Sequence, residues 1–156
     1  MSYKLSKADV WAVDVMNRPG MLARVLESLR NAGAELEFMI ARKAADTTSR
    51  VFLSPVKGKK QKAAAAEVGL VPATGMHCLR IEGPDKAGIG ADITRAVADH
   101  DANLRGASAA AIGKKMVMHL AFESEADMDA AKKIVRDVVS GKKKGKKAGK
   151  TGKAKK

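Results

Sequence analysis

The side chains with the most obvious chemistry are few: three histidines, one cysteine and one short glycine motif. His77 shares the face of an alternating segment with Leu79 and Ile81, whereas His119 falls out of phase with Met118, Leu120 and Phe122. If the apolar members of each segment face a core, the two imidazoles point opposite ways and do not form a metal pair. His100 lies between Asp99 and Asp101 at a helix end and reads as a solvated residue near the negative pole of that helix. Cys78 has no base beside it and reads as a buried strand thiol rather than a nucleophile. A single cysteine also excludes an internal disulfide and a multi-thiolate metal site. Gly88-Ile-Gly90 falls short of the dinucleotide fingerprint because position 93 is Ile, and no Gly-Lys-Ser/Thr follows a glycine-rich loop. No catalytic residue, metal ligand or cofactor is therefore expected.

Two turns offer a different kind of chemistry. Asn17-Arg-Pro-Gly20-Met-Leu22 and Asp85-Lys-Ala-Gly88-Ile-Gly90 each join a strand-like segment to a helix-like one. A helix that begins just after a glycine presents unpaired backbone N–H groups and the positive end of its dipole, so a carboxylate binds there with little help from side chains. Glycine also allows a ligand close to the backbone. Asn17, Arg18, Gly20, Met21 and Leu22, with Asp85, Lys86, Gly88, Ile89 and Gly90, are the candidate ligand-binding residues. Asn17 and Asp85 suit two roles equally, capping the helix or holding a ligand amine.

The elements that position these turns recur. Shifting the chain by 68 places sets Gly20 over Gly88, Arg18 over Lys86, Asn17 over Asp85, Leu29 over Val97 and Leu36 over Leu104, without a gap. Each half opens on an alternating strand: Trp11, Val13 and Val15 against Ala12, Asp14 and Met16, then Leu79 and Ile81 against Cys78, Arg80 and Glu82. An amphipathic helix follows the turn, with Met21, Leu22, Val25, Leu26 and Leu29 as one stripe and Ile89, Ile93, Ala96 and Val97 as its counterpart. Gly33 is placed to end the first of these helices. Strand pairs come next, 35–45 with 49–56 and 103–111 with 115–122, turning at 46–49 and 112–115. Second helices span 59–68 and 125–139, the latter opened by a Ser124/Asp127 capping box.

The order strand, helix, strand, strand, helix, strand is a split βαβ unit, so the expected class is α+β: two ferredoxin-like βαββαβ repeats with helices on one face of antiparallel sheets. Residues 70–74 supply the brief last strand of the first repeat. After Val139 the chain runs into Ser140-Gly141 and lysine, so the second repeat lacks an obvious fourth strand. An open sheet edge is expected at 76–82. The segment from Tyr3 could cover that edge, but nothing in the sequence requires it.

The repeated strand, Asn-Arg-Pro-Gly-Met-Leu or Gly-Pro-Asp-Lys-Ala-Gly-Ile-Gly turn, and helix resemble the ACT domain, a small-molecule-binding regulatory module of amino-acid metabolism. Residues 9–140 resemble a free-standing tandem of two ACT repeats with no attached enzyme, 9–75 and 76–140, although Ala87 stands where the family usually has Pro. The resemblance implies a non-enzymatic regulatory protein that binds a free amino acid as effector. It also implies that the effector sits where the turn of one domain faces the second strand of a neighbour, which adds Ile40, Ala41, Ala107 and Ser108 as weaker lining candidates. ACT-like sheets commonly join edge to edge, so a homodimer or larger homo-oligomer is expected.

Composition sets the remaining bounds. Of the 156 residues, 30 are Lys or Arg and 17 Asp or Glu, for a net charge of +13. Lys142, Lys143, Lys144, Lys146, Lys147, Lys150, Lys153, Lys155 and Lys156 contribute nine of those cations, so the body is close to neutral by comparison. Residues 141–156 have no apolar periodicity and are expected to be disordered. This tail underlies an alternative reading: a basic nucleic-acid-associated protein that uses the ACT pair as a dimerisation platform and the lysines for phosphate-backbone binding. Lys57, Lys59, Lys60 and Lys62 form a second cluster whose default is a solvated face. No apolar run approaches the ~18 residues of a membrane span, and no apolar segment precedes Asp9 as a signal peptide would. A cytoplasmic protein with no membrane partner is expected.

Overall fold

The structure, a computed structural model, describes residues 2–142. The elements in order are β1 (Lys4–Ala8), β2 (Trp11–Met16), α1 (Met21–Asn31), β3 (Phe38–Ala45), β4 (Thr48–Ser54), α2 (Gly58–Glu67), β5 (Val71–Pro72), β6 (His77–Pro84), α3 (Ile89–Ala98), β7 (Gly106–Ile112), β8 (Lys115–Phe122) and α4 (Glu125–Val139). They form two antiparallel four-stranded sheets, β3-β4-β2-β5 and β1-β6-β8-β7. Two helices cover one face of each sheet. Val13, Val25, Leu29, Val51, Leu53 and Leu70 form the first core, and Leu79, Ile81, Ile93, Val97, Leu120, Phe122 and Val135 the second. Among the described residues no helix is long and apolar enough to cross a membrane.

The expected open edge at 76–82 does not exist. β1 lies antiparallel along β6, with Lys4 opposite Glu82, Leu5 opposite Ile81 and Ala8 opposite Cys78. The second sheet thus takes its fourth strand from the N-terminus, ahead of the whole first repeat. Tyr3 and Leu5 pack against the second core and fix the register by their period of two. Gly83 is required by this arrangement, because a Cβ there would overlap the Tyr3 ring. The edges left unpaired in the two sheets are β7 and β1, and β3 and β5.

The repeat seen in sequence extends to backbone dihedrals. Gly33 ends α1 at φ 76°, and Asp101, its counterpart 68 places on, holds φ 58° as the one positive-φ residue other than glycine among the described residues. The closing hydrogen bonds correspond too: the Ala34 N–H donates to Leu29 O at 3.0 Å, and the Ala102 N–H to Val97 O at 3.4 Å. The capping expectation for α4 is met, the Asp127 N–H donating to Ser124 Oγ at 3.0 Å. The second strands start later than periodicity suggests, at Phe38 and Gly106, because the preceding residues descend from the helix ends before pairing begins. Lys143 to Lys156, most of the expected basic tail, lie outside the described residues.

Candidate functional site

The two turns have the same backbone. Gly20 holds φ 87°, ψ −13° and Gly88 holds φ 83°, ψ −8°, each as the N-cap of the following helix. These left-handed values are the reason for glycine at both places. Among the described residues nothing lies within 4 Å of where a Cβ would stand at either glycine, so neither turn is crowded on that side. The Met21 N–H donates to Arg18 O at 3.5 Å and the Ile89 N–H to Lys86 O at 3.1 Å. The N–H groups next in each helix, those of Leu22, Ala23, Gly90 and Ala91, have no intrahelical acceptor, as at any helix start.

Neither helix has a side-chain cap, which separates the two roles left open for Asn17 and Asp85. Asn17 serves the neighbouring hairpin: its Nδ2 donates to Asp46 O at 3.4 Å and its Oδ1 accepts from Ser49 Oγ at 3.0 Å. Asp85 makes no side-chain hydrogen bond among the described residues, and its charge, after burial, helps to raise the Tyr3 phenol above its ordinary value. Tyr3 Oη donates to Pro84 O at 2.7 Å, and the Lys86 ammonium stands 6.0 Å from the Tyr3 ring centroid. Tyr3, Lys86, Arg136 and Ser140 line a hollow of about 370 Å³ beside the second turn. Tyr3 and Arg136 were not legible as site residues, because the pairing of β1 with β6 brings Tyr3 to the turn and the packing of α4 brings Arg136. Arg18, Met21, Leu22, Ile89 and Gly90 lie on the two turns as expected, with Met21, Leu22, Ile89 and Gly90 half-buried.

The weaker candidates divide. Ile40, Ala107 and Ser108 line a cleft of about 590 Å³ between the helix-free faces of the two sheets, whereas Ala41, one place out of phase, does not. Phe38, Phe52, Ala12 and Ala121 give the cleft apolar walls, and Asp14, Arg42, Arg50, Arg105 and His119 give it charge and polarity. Arg50 holds Asp14 through two hydrogen bonds of 2.6 Å, which keep the Asp14 carboxyl below its ordinary range. The Arg105 guanidinium donates to Gly75 O. Cys78 also faces this cleft, and burial pushes its thiol up to about 11, so it has little thiolate character.

His119 does face away from Met118, Leu120 and Phe122, but what lies on that side is the other repeat rather than solvent. It is 6% exposed, its ring centroid is 4.5 Å from that of Phe38, and its Nε2 has no hydrogen-bond partner among the described residues. Burial, then the nearby Arg80 cation, hold its pKa below the ordinary value, with Glu37 opposing weakly. His100 is exposed and its Nδ1 lies 2.8 Å from Ala96 O. Among the described residues no three His, Cys, Asp or Glu side chains converge as a metal site would require.

Two antiparallel four-stranded sheets of this topology, each with two helices on one face, define an α+β fold of two ferredoxin-like units. Solved structures of the same fold include protein BT0572 from Bacteroides thetaiotaomicron, with a TM-score of 0.71 and 13% identity over 85% of this chain and 89% of that one. The ligand-free regulatory subunit of aspartate kinase from Thermus thermophilus matches at a TM-score of 0.64 and 15% identity, over 88% of this chain and 97% of that one. Aspartokinase alpha and beta subunits match at 0.60 and 16%, over 90% and 98%. At these identities the likeness is one of fold. No family model matches the sequence, and no curated protein matches it by sequence.

Proposed function

We propose that this chain is a non-enzymatic regulatory protein that binds a free amino acid at its strand-to-helix turns. The observation that carries the reading is the recurrence of one turn geometry: Gly20 and Gly88 agree within a few degrees in both dihedrals, and neither has a described neighbour within 4 Å of where a Cβ would stand. The effector carboxylate sits on the next N–H groups, those of Leu22 and Ala23 at the first turn and of Gly90 and Ala91 at the second, since Met21 and Ile89 donate within their own turns. At the second turn the Asp85 carboxylate, with no hydrogen bond of its own among the described residues, accepts from the effector ammonium. Fold likeness to a regulatory subunit of aspartate kinase supports a regulatory role but names no effector.

A panel of free amino acids screened by thermal shift tests this reading. An effector at about 100 times its dissociation constant stabilises the fold by about 2.7 kcal/mol, or several degrees for a protein of this size. A panel in which no amino acid shifts the melting point would count against it.

β1 occupies the edge that was expected to be open to a second copy of the chain. β7 is now the most receptive edge: Gly106-Ala-Ser-Ala-Ala-Ala-Ile112 carries no charge and no proline, Ala109 to Ala111 are exposed, and Ile112 is 78% exposed. Pairing of two β7 edges would join two second sheets into one of eight strands. Light scattering at tens of micromolar should give a dimer or larger even oligomer, and Ala110→Lys should shift it to monomer.

A second reading rests on the nine lysines of 142–156. Counterion release makes log K fall with log salt by roughly 0.9 per neutralised phosphate on duplex DNA. Removing 142–156 should then abolish most nucleic-acid affinity and leave folding intact.

A further inference from the structure

The inter-sheet cleft has a polarity that the turns do not explain. On its first wall, Arg42 stands directly across from Arg50 in the β3–β4 register, and Arg50 across from Asp14 in the β4–β2 register. The row therefore holds two guanidiniums and one carboxylate. Asp14 is committed to Arg50 by both of its oxygens, and Arg42 has no hydrogen bond or ion pair among the described residues. Like charges directly opposite on a sheet are unfavourable, so this row lacks an anion. On the second wall, Ser108 stands across from His119 and His119 across from Arg80. Arg80 is engaged by Glu82 at 2.7 Å and by Glu37 at 3.5 Å. His119 Nε2 has no partner among the described residues and His119 is more than nine-tenths buried, while the half-buried Ser108 hydroxyl makes no hydrogen bond to another described residue.

The remaining lining is apolar: Phe38, Ile40 and Phe52 from one repeat, Ala107 and Ala121 from the other. About 590 Å³ is within the range of small-molecule sites and larger than a simple amino acid needs. We propose that this cleft is a second binding site, distinct from the turns, for a small organic anion with an apolar, ring-sized body. The body lies between Phe52 and Ala121, and the anionic head meets Arg42 and Arg105 at the rim. The Ser108 hydroxyl and the His119 ring gain the partner they lack, His119 as the Phe38 ring turns aside. Because the walls come from different repeats, an occupant fixes one repeat against the other. This site does not rest on the turn reading, since no turn residue lines it.

The test uses the full chain, isotopically labelled, titrated with 1-naphthaleneacetate and with its neutral isostere 1-naphthaleneacetamide, followed by amide and imidazole resonances. The expected result is binding of the carboxylate at least ten-fold tighter than the amide, with shifts at Ile40, Phe52, Ser108 and the His119 ring. Arg42→Glu, a change on an exposed edge strand, should erase the preference for the carboxylate, and His119→Leu should weaken both ligands. Ala23→Asp, at the first turn, should leave both affinities unchanged. Equal affinity for acid and amide would overturn the proposal. So would shifts confined to 17–22, 85–90 or the lysine tail, or the absence of saturable binding at millimolar ligand. Should His119→Leu fail to fold, the Arg42→Glu arm decides alone.

Discussion

The two turns share a backbone and differ in almost everything placed around it. The first is bare: α1 has no acid in its first turn, Arg18 is exposed beside it, and Asn17 is tied back to the β3–β4 hairpin. The second is furnished: Asp92 sits in the first turn of α3, Tyr3 is hydrogen-bonded to Pro84 alongside, and the Asp85 carboxylate has no hydrogen bond among the described residues. An acid in the first turn is attracted to the same N–H groups that a ligand carboxylate needs. The first turn should therefore take the carboxylate more strongly, and the second should discriminate better for an ammonium beside it. The two units keep one turn backbone; on the proposed reading, the residues around it would set which end of a zwitterion each turn favours.

The largest effect expected from breaking this comparison is at Tyr3. Tyr3→Ala removes a ring packed on Gly83 and the second core together with a hydrogen bond, and should cost about 2 kcal/mol. Hydrogen exchange should localise the loss to β1, β6 and the second turn, with the first sheet unchanged; uniform loss would show that the repeats unfold as one unit. Next is the pair Ala23→Asp and Ala91→Asp, both at exposed first-turn positions. Each places a carboxylate over the proposed anion site without disturbing a glycine at positive φ, as Gly20→Asp or Gly88→Asp would. Ala23→Asp should weaken effector binding at least ten-fold and Ala91→Asp less, because Asp92 already opposes an anion there; equal effects would erase the distinction between the turns.

Acid should separate the repeats as well. The His119 pKa is held below its ordinary 6.5 in the folded protein by burial and by Arg80, so the unfolded chain takes up a proton more readily. The stability that His119 contributes is therefore complete above about pH 6.5 and declines as pH falls below it. Asp14, lowered from 3.8 by its hydrogen bonds with Arg50, contributes stability that is present above 3.8 and lost as pH falls through its folded value. Urea unfolding from pH 7.5 to 5.5 should show a slope that His119→Leu removes and Asp14→Asn leaves. The smallest expected effect is at Asp101, which holds the left-handed helix end that glycine holds at 33. Asp101→Gly should stabilise the second repeat by about 0.5 kcal/mol, seen as a small rise in melting temperature.

The parts of this fold that sequence made legible were those written in local periodicity. The helix stripes, the β8 alternation, the Ser124 cap and the two glycine turns all stand where residue spacing puts them. β1 was legible only as an option, the segment from Tyr3 being able to cover the 76–82 edge with nothing to require it, because five residues carry little periodic signal and their partner strand lies some seventy residues away. The cleft was illegible for a related reason. Asp14, Arg42 and Arg50 come from one repeat and Arg105, Ser108 and His119 from the other, so only the packing of one sheet against the other makes them neighbours. His119 shows the limit most clearly: alternation placed it on the face away from its own core, but not against Phe38.

The central claim is that a free amino acid binds through its carboxylate at the helix ends after Gly20 and Gly88, the first before the second. Amide resonances of Leu22 and Ala23, and of Gly90 and Ala91, followed during titration with the amino acid that most raises the melting temperature, test it directly. Both pairs should shift, with Leu22 and Ala23 saturating at lower ligand. Saturable binding that leaves all four amides unmoved would contradict the account.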